Sequence, residues 1–252
     1  MNGRWRRVLT AAIALMVPRP FKTLLLNAMG HHVGRRARIG FGILAVERLW
    51  IADGARIGRL NFISCRRLVM RRGAVVAGMN VIRGPVSVSL GQDAGLGNRN
   101  VVARAPRPVS WGPARLRIGR GSKVTASHTI DCMRSVVIGE HSTIAGKGSQ
   151  LWTHSYVHEA EGPGRVRVEG GITIGNNVYV GSACMISLGV TLGDGITLGS
   201  LTPVAKSLDQ PGLYVAQPLR HLPRPFERAE EGGAVVPAGE VCERVVVRRG
   251  KG

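Results

Sequence analysis

Aliphatic residues recur at a spacing of six through most of this chain, and that period limits its fold more than any other feature. The first stretch runs Ile39, Ile51, Ile57, Ile63, Val69, Val75 and Val81, with the small Ala45 in the same phase. The phase slips, resumes at Leu90 and Leu96, and returns at Ile118, Val124, Ile130 and Val136. A third register holds Ile138 and Ile144 and, after an interruption, Ile174, Val180, Ile186, Leu192, Leu198 and Val204. Glycine often follows the aliphatic, as at Gly119, Gly139, Gly175 and Gly193, and small or branched residues return three positions later at Ser122, Ser142, Val178 and Ile196. Such a period fits neither a helix nor a simply alternating strand. It fits short strands joined by turns and stacked as an all-β solenoid, each aliphatic packing over its equivalent in the next coil.

Composition agrees. Glycine supplies 35 of 252 residues and aromatics only 4%, which suits a backbone full of turns and argues against a helical bundle. Val, Ile and Leu throughout argue against long disorder. The length suits one sizeable domain with short appendages. A net charge of +20 favours anionic partners such as an acidic membrane surface or a phosphorylated ligand. Scarce aromatics and the lack of a nucleic-acid-binding motif turn the reading away from nucleic acid. Cys65, Cys132, Cys184 and Cys242 are far apart, so neither a zinc ribbon nor a disulfide framework is suggested, and the simplest location is the reducing cytoplasm.

Near the amino terminus, Arg4, Arg6 and Arg7 precede an apolar run from Val8 to Val17 that stops at Pro18-Arg19-Pro20. The run is too short to span a bilayer. A second apolar stretch, Phe21 to Met29, contains Lys22 and Asn27. Two short helices with basic flanks are expected, either packing on the end of the solenoid or attaching peripherally to anionic lipid through Arg4, Arg6, Arg7, Arg19 and Lys22.

The stretch Ile174-Gly-Asn-Asn-Val-Tyr-Val-Gly-Ser, continued by Leu188-Gly-Val-Thr-Leu-Gly-Asp-Gly, closely resembles the terminal coils of hexapeptide-repeat acyltransferases. The resemblance covers about 39–221 and is most specific over 122–206. Within the family the chain looks most like sugar and polysaccharide O-acetyltransferases of the maltose, galactoside and colanic-acid kind. What the resemblance implies is a left-handed parallel β-helix of triangular section, a homotrimer, and acetyl-CoA as acyl donor. It further implies that Gly181, Ser182 and Ser200 allow close approach of the pantetheine, and that Lys206 and Arg220 meet CoA phosphates. Tyr179 stands where the family usually has tryptophan, and Leu201 where a glycine is expected.

One long break interrupts the late register, from Leu151 to Gly171, and it gathers His154, His158, Glu159, Trp152 and Tyr156. Removing a proton from an attacking hydroxyl suits a neutral imidazole, and the family resemblance gives that role to a histidine opening such an excursion, which His154 matches. His128, one repeat earlier, is a second candidate for the same cleft or an ordinary turn histidine. Trp152, Tyr156, His158 and Glu159 are candidate acceptor contacts. Asp131 is either a carboxylate that fixes an imidazole tautomer or one of the acids common in turns. Cys184 occupies a small-residue repeat position and reads as an interior hydrophobe rather than a nucleophile.

The expected activity is transfer of an acetyl or related acyl group from acyl-CoA to a hydroxyl of a sugar, a glycan or a lipid-linked glycan precursor, with no metal. An amino-sugar acceptor is the nearest variant. A zinc lyase of the carbonic anhydrase kind on the same solenoid would need three converging imidazoles, for which His128, His154 and His158 are available. The expected organisation is a basic helical segment over 1–37, the β-helix over 38–209 with its excursion at 151–171, and a strap and tail over 210–252.

Overall fold

The computed structural model describes residues 3–216, 220–222, 234–238 and 241–245, with side chains described over 5–18 and 21–216. Short strands repeat in threes along the chain and pair only with their equivalents in the coils before and after, giving a parallel β-solenoid with three faces. The first face runs from the opening halves of Gly42–Ile51 and Asn61–Met70 through Val81–Arg83, Val101–Ala103, Thr129–Asp131, Gln150–Leu151 and Met185–Ile186 to Pro203–Val204. The second begins at His32–Val33, takes in the closing halves of the same two long strands, and continues through Ser87–Leu90, Arg115–Ile118, Val136–Ile138 and Ile172–Ile174 to Thr191–Leu192. The third carries one parallel strand per coil from Arg38–Ile39 to Gly212–Val215, and Arg220–Leu222 then pairs with it antiparallel. A hairpin, Ala234–Ala238 with Val241–Val245, lies in the last part of the chain.

Register explains the period of six. Ile118 sits beside Ile138, Ile174 and Leu192 in turn. Val124 lines up with Ile144, Val180 and Leu198, and Val102 with Ile130, Leu151, Ile186 and Val204. All are buried, so three aliphatic stacks fill the prism and supply its hydrophobic stabilisation. The early register differs from the sequence reading. Met70, Val76 and Ile82 are buried, whereas Val75 is exposed and Val69 and Val81 are half-buried. Two consecutive outward residues, Arg66 and Arg67, turn the corner within Asn61–Met70 and shift the inward phase by one.

Two helices cover the first coil, α1 (Gly3–Met16) and α2 (Arg19–Ala28). Pro18 ends the first run, since it has no N–H to donate, and a proline in the first turn is tolerated by the second helix. Their orientation inverts the usual one. Thr10, Ala14, Lys22 and Leu26 face inward, while Trp5, Val8, Leu9, Leu15, Met16, Phe21, Leu24 and Leu25 are exposed. The cations are spent inside: Arg6 Nη2 donates to Gly30 O at 2.6 Å, Arg7 pairs with Glu47, and Lys22 Nζ donates to Ala14 O at 2.6 Å. The side chains of Arg4 and Arg19 lie outside the described residues.

His31 joins α1 to the solenoid. Its Nδ1 accepts the Leu49 N–H at 3.2 Å, which leaves Nε2 as the donor to Thr10 Oγ1 at 2.8 Å. Protonating Nδ1 would set a donor against a donor. Burial first, and the Arg6 charge second, lower its pKa from 6.5 to about 4. The unfolded chain therefore binds this proton more readily than the folded one, and stability falls as pH drops from about 6.5 toward 4. Hydrogen exchange is expected to show α1 amides losing protection across that window, and losing it less in His31→Gln. Flat protection from pH 7 to 4.5 would show that His31 does not hold the helix.

Candidate active site

Both insertions into the solenoid leave from one corner, between the first and second faces. Residues 104–114 leave after Val101–Ala103, and two coils later a hairpin of His154–His158 and Arg165–Glu169 leaves after Gln150–Leu151. Between them lies the corner that follows Thr129–Asp131, which carries Asp131 and Arg134. Coil stacking thus sets Asp131 under the first residues of the hairpin.

Asp131 Oδ2 receives the Thr153 N–H at 2.9 Å, the Thr153 hydroxyl, and His154 Nδ1 at 2.8 Å. Because a carboxylate only accepts, the proton is on Nδ1 and Nε2 carries the lone pair. Nε2 has no hydrogen-bond partner among the described residues. Asp131 is buried and His154 is partly exposed, so the carboxylate is sheltered and the imidazole faces outward. Trp152 and Tyr156 meet the ring edge-on, with centroids 6.4 and 5.9 Å away. Arg165 lies over the Tyr156 ring at 4.7 Å.

Glu169, directly across the hairpin from His154, binds Arg134 Nε at 2.6 Å and pairs also with Arg167. Arg134 N donates to Thr153 Oγ1 at 3.0 Å. The hairpin is therefore tied at its base to the coil that supplies Asp131, which fixes where the imidazole points.

The other expected residues distribute as follows. His158 lies on the His154–Tyr156 face of its strand, two residues further out, and Glu159 is near the hairpin tip, its N–H bonded to Gly164 O. His128 is elsewhere. It immediately precedes the strand that Asp131 closes, is buried, accepts the Ser149 N–H at Nδ1 at 3.1 Å and meets Thr125 Oγ1 through Nε2 at 3.1 Å. Burial lowers its pKa, the Ser149 and Ile144 backbone contacts opposing. With both nitrogens occupied inside the solenoid, His128 does not join the His154 cluster. The three imidazoles considered for zinc consequently do not converge, and no group of three or more His, Cys, Asp or Glu forms a cation site among the described residues.

Cys184 is buried, and burial raises its thiol pKa, as expected of an interior residue. Gly181 lies where a Cβ would come within 2.7 Å of Ser200 N, so coil stacking itself requires the glycine. Gly181, Ser182 and Ser200 lie between the third and first faces. Lys206 lies between Pro203–Val204 and Leu208, at the same corner as His154 on later coils, and is exposed. The Arg220 side chain is outside the described residues. Arg134, Thr153, Arg167 and Glu169 are site residues that sequence reasoning missed.

These coils and this corner define a hexapeptide-repeat, left-handed parallel β-helix carrying a partly exposed histidine backed by a buried aspartate. The solved polySia-specific acetyltransferase NeuO shares the fold at a TM-score of 0.52, with 18% identity over 77% of this chain and 84% of that one. In sequence, the chain is 34% identical over 110 residues to the galactoside O-acetyltransferase of Escherichia coli K12. That match covers 43% of this chain and 53% of the relative, about half its length. A galactoside acetyltransferase solved in complex with coenzyme A aligns with 27% identity over 46% of this chain and 57% of that one, at a TM-score of 0.40. No family model matches the chain.

Removing the carboxylate would leave the Thr153 N–H and the His154 Nδ1–H without their acceptor, while the Thr153 hydroxyl keeps Asp131 O at 3.3 Å. Asp131→Ala is expected to cost about 2–3 kcal/mol in a urea melt, with Asp131→Asn milder. Unchanged stability in Asp131→Ala would show that the contact does not anchor the hairpin.

Proposed function

We propose that this protein transfers an acetyl group from acetyl-CoA to a hydroxyl of a sugar or glycan precursor, with His154 as general base. The observation that carries the reading is the His154–Asp131 contact, which leaves Nε2 free to accept a proton at an exposed edge. Similarity over 110 residues to a galactoside O-acetyltransferase supports the reaction class. In this mechanism the acceptor hydroxyl donates its hydrogen bond to Nε2. Its oxygen attacks the thioester carbonyl as its proton passes to the imidazole, and Asp131 stabilises the imidazolium without taking the proton. Collapse of the tetrahedral intermediate breaks the C–S bond, and the imidazolium returns the proton to the departing thiolate. The acetyl ester and free CoA are the products, in balance.

Trp152 and Tyr156, already packed around the imidazole, suit the faces of a sugar ring, with His158 and Glu159 further along the hairpin. Gly181, Ser182, Ser200, Lys206 and Arg220 are the proposed donor contacts, on the strength of the sequence resemblance. The open edge at His154 is the reason for proposing a homotrimer, in which a neighbouring subunit closes the cleft. His154→Asn is expected to preserve the trimer and CoA binding while lowering kcat about 10²–10⁴-fold. Near-full transfer by that variant, with the acceptor in hand, would remove His154 from the mechanism.

The proposal includes a place for the enzyme at the inner face of an anionic membrane. Cys65, Cys132 and Cys184 are unpaired thiols, in keeping with a reducing compartment. Among the described residues no helix is long and apolar enough to cross a membrane. Contact would instead use the outward apolar stripe of α1 and α2, with the exposed Arg59 beside Leu15 and Met16. This differs from attachment through Arg6, Arg7 and Lys22, which are bonded inward. Flotation with anionic liposomes is expected for the intact protein and abolished in Phe21→Asp/Leu24→Asp. A change of oligomeric state in that variant, with flotation intact, would make the stripe a subunit contact instead.

A further inference from the structure

The corner that carries His154 is basic on the coils before it. A cleft of about 470 Å³ opens there, lined by Arg7, Arg66, Arg104 and Arg107 together with Ser110 and Pro85. Its centre is Arg104, only 4% exposed. The guanidinium is pinned by carbonyls: Nη1 donates to Pro85 O at 3.3 Å, and Nη2 to Trp111 O at 2.9 Å and Gly112 O at 2.6 Å. Nε is buried with no partner. Even the backbone is committed to this arrangement. Gly84, at φ +102°, leaves no room for a Cβ, which would stand 1.9 Å from Arg104 O.

A buried cation normally has a carboxylate beside it, because desolvating an unpaired charge is expensive. Arg104, Arg66 and Arg107 have no ion pair among the described residues, and of the lining arginines Arg7 alone is paired, with Glu47. Burial first, then the neighbouring Arg134, Arg66 and Arg107 against an opposing Cys132, push the Arg104 pKa below the usual arginine value. The exposed Arg66 and Arg107 sit at the mouth. A pinned, buried guanidinium under two exposed ones is built to receive an oxyanion with charge-assisted hydrogen bonds.

Position gives the anion its meaning. Arg104 precedes Arg134 by one coil at this corner and the His154 hairpin by two, about 10 Å along the axis at the usual strand spacing. We propose that the cleft anchors a phosphate or carboxylate group of the acceptor, so that the acceptor is an acidic glycan lying along this corner with a hydroxyl at His154. The inference rests on the transferase reading for the role of His154, but the cleft can be tested without it.

The test compares the full-length protein with Arg66→Ala/Arg107→Ala, which spares the structural Arg104, and with Arg72→Ala/Arg117→Ala, which removes the same charge elsewhere. Calorimetric titration at fixed ionic strength would use a short oligogalacturonate, a hexose phosphate, a neutral galacto-oligosaccharide and CoA. At least one acidic saccharide is expected to bind the intact protein more tightly than the neutral one. Its Kd is expected to rise at least about tenfold in the cleft variant and less than about twofold in the distal one. Equal weakening in both variants, or no binding of either acidic probe, would overturn the proposal. So would a tenfold loss of CoA affinity in the cleft variant with acidic saccharide binding unchanged, because the anion would then be the donor's phosphate. Cleft-dependent saccharide binding without acetyl transfer would sink the transferase reading and leave the anion site standing. Transfer to an acidic acceptor with unchanged KM in the cleft variant would do the reverse.

Discussion

Strands of two or three residues cannot stand alone, and every coil of this molecule is held by hydrogen bonds to the coils on either side. The whole structure therefore depends on register being kept at the corners. Interior side chains keep it. Asn61 Oδ1 accepts the Asn80 N–H, Asn80 Oδ1 the Asn100 N–H, and Asn100 Oδ1 the His128 N–H; His128 Nδ1 then accepts from Ser149 N, and Ser149 Oγ from Cys184 N. A second ladder runs from Ser122 to Ser142 to the Val178 N–H. Each rung satisfies a buried amide that the turn leaves unpaired, and leaving such a group unmet costs about 1–3 kcal/mol. The same corner as the asparagine ladder places Leu60, Met79, Arg99, Ser127, Ala183 and Leu201 at positive φ. That conformation is costly for residues with a Cβ, and the stacked amide bonds, such as Leu201 N to Ser182 O at 2.8 Å, hold it in place.

Where the ladders hold two corners, the third is available for change. Residues 104–114 and the 154–169 hairpin both leave from the corner between the first and second faces, and the chain returns each time to the register it left. Gln150–Leu151 pairs forward with Met185–Ile186, and Ile172–Ile174 with Thr191–Leu192. An excursion so fixed at both ends inherits the rigidity of the solenoid. The coil beneath then supplies the partner of the exposed imidazole. Asp131 and His154 are distant in sequence but adjacent in the stack, and neither residue could be positioned without the coil-to-coil register.

Much of this was legible in the sequence, and the reasons are physical. The aliphatic stacks repeat because equivalent interior positions face the same packing problem, so Ile138, Ile174 and Leu192 announce themselves by spacing alone, whereas Ile118 joins their stack only across a shift of register. The phase change at Arg66-Arg67 was not legible, since an extra outward residue at a corner leaves no mark on hydrophobicity. His154 stood out because it opens a break in a strict pattern. His128 resembled it in type and lay one repeat away, but its neighbours in the asparagine ladder carry no common residue type: Asn, His and Ser all serve as acceptors for the next amide. Asp131 was open to two readings, because an acid in a turn becomes a partner only when the coil above brings an imidazole over it. Arg134 and Glu169 were silent for the same reason. Their pairing depends on how the hairpin folds back onto the stack.

The distribution of charge along that corner gives the net charge a direction. Asp131 and Glu169 both meet donors or cations at the base of the hairpin, so the few acids are consumed in positioning. On the earlier coils Arg66, Arg104 and Arg107 have no carboxylate partner among the described residues, and on the later ones Lys206 stands exposed at the same corner. Among the described residues, unpaired cations therefore flank the His154 hairpin on both sides along the axis. Two anionic reactants approaching one corner would repel each other in water. Under the proposed transferase reading, separate cationic anchors on either side would hold both with their neutral reacting ends toward His154, a hydroxyl from one side and a thioester from the other, so that orientation would be supplied by charges that never touch the reacting atoms.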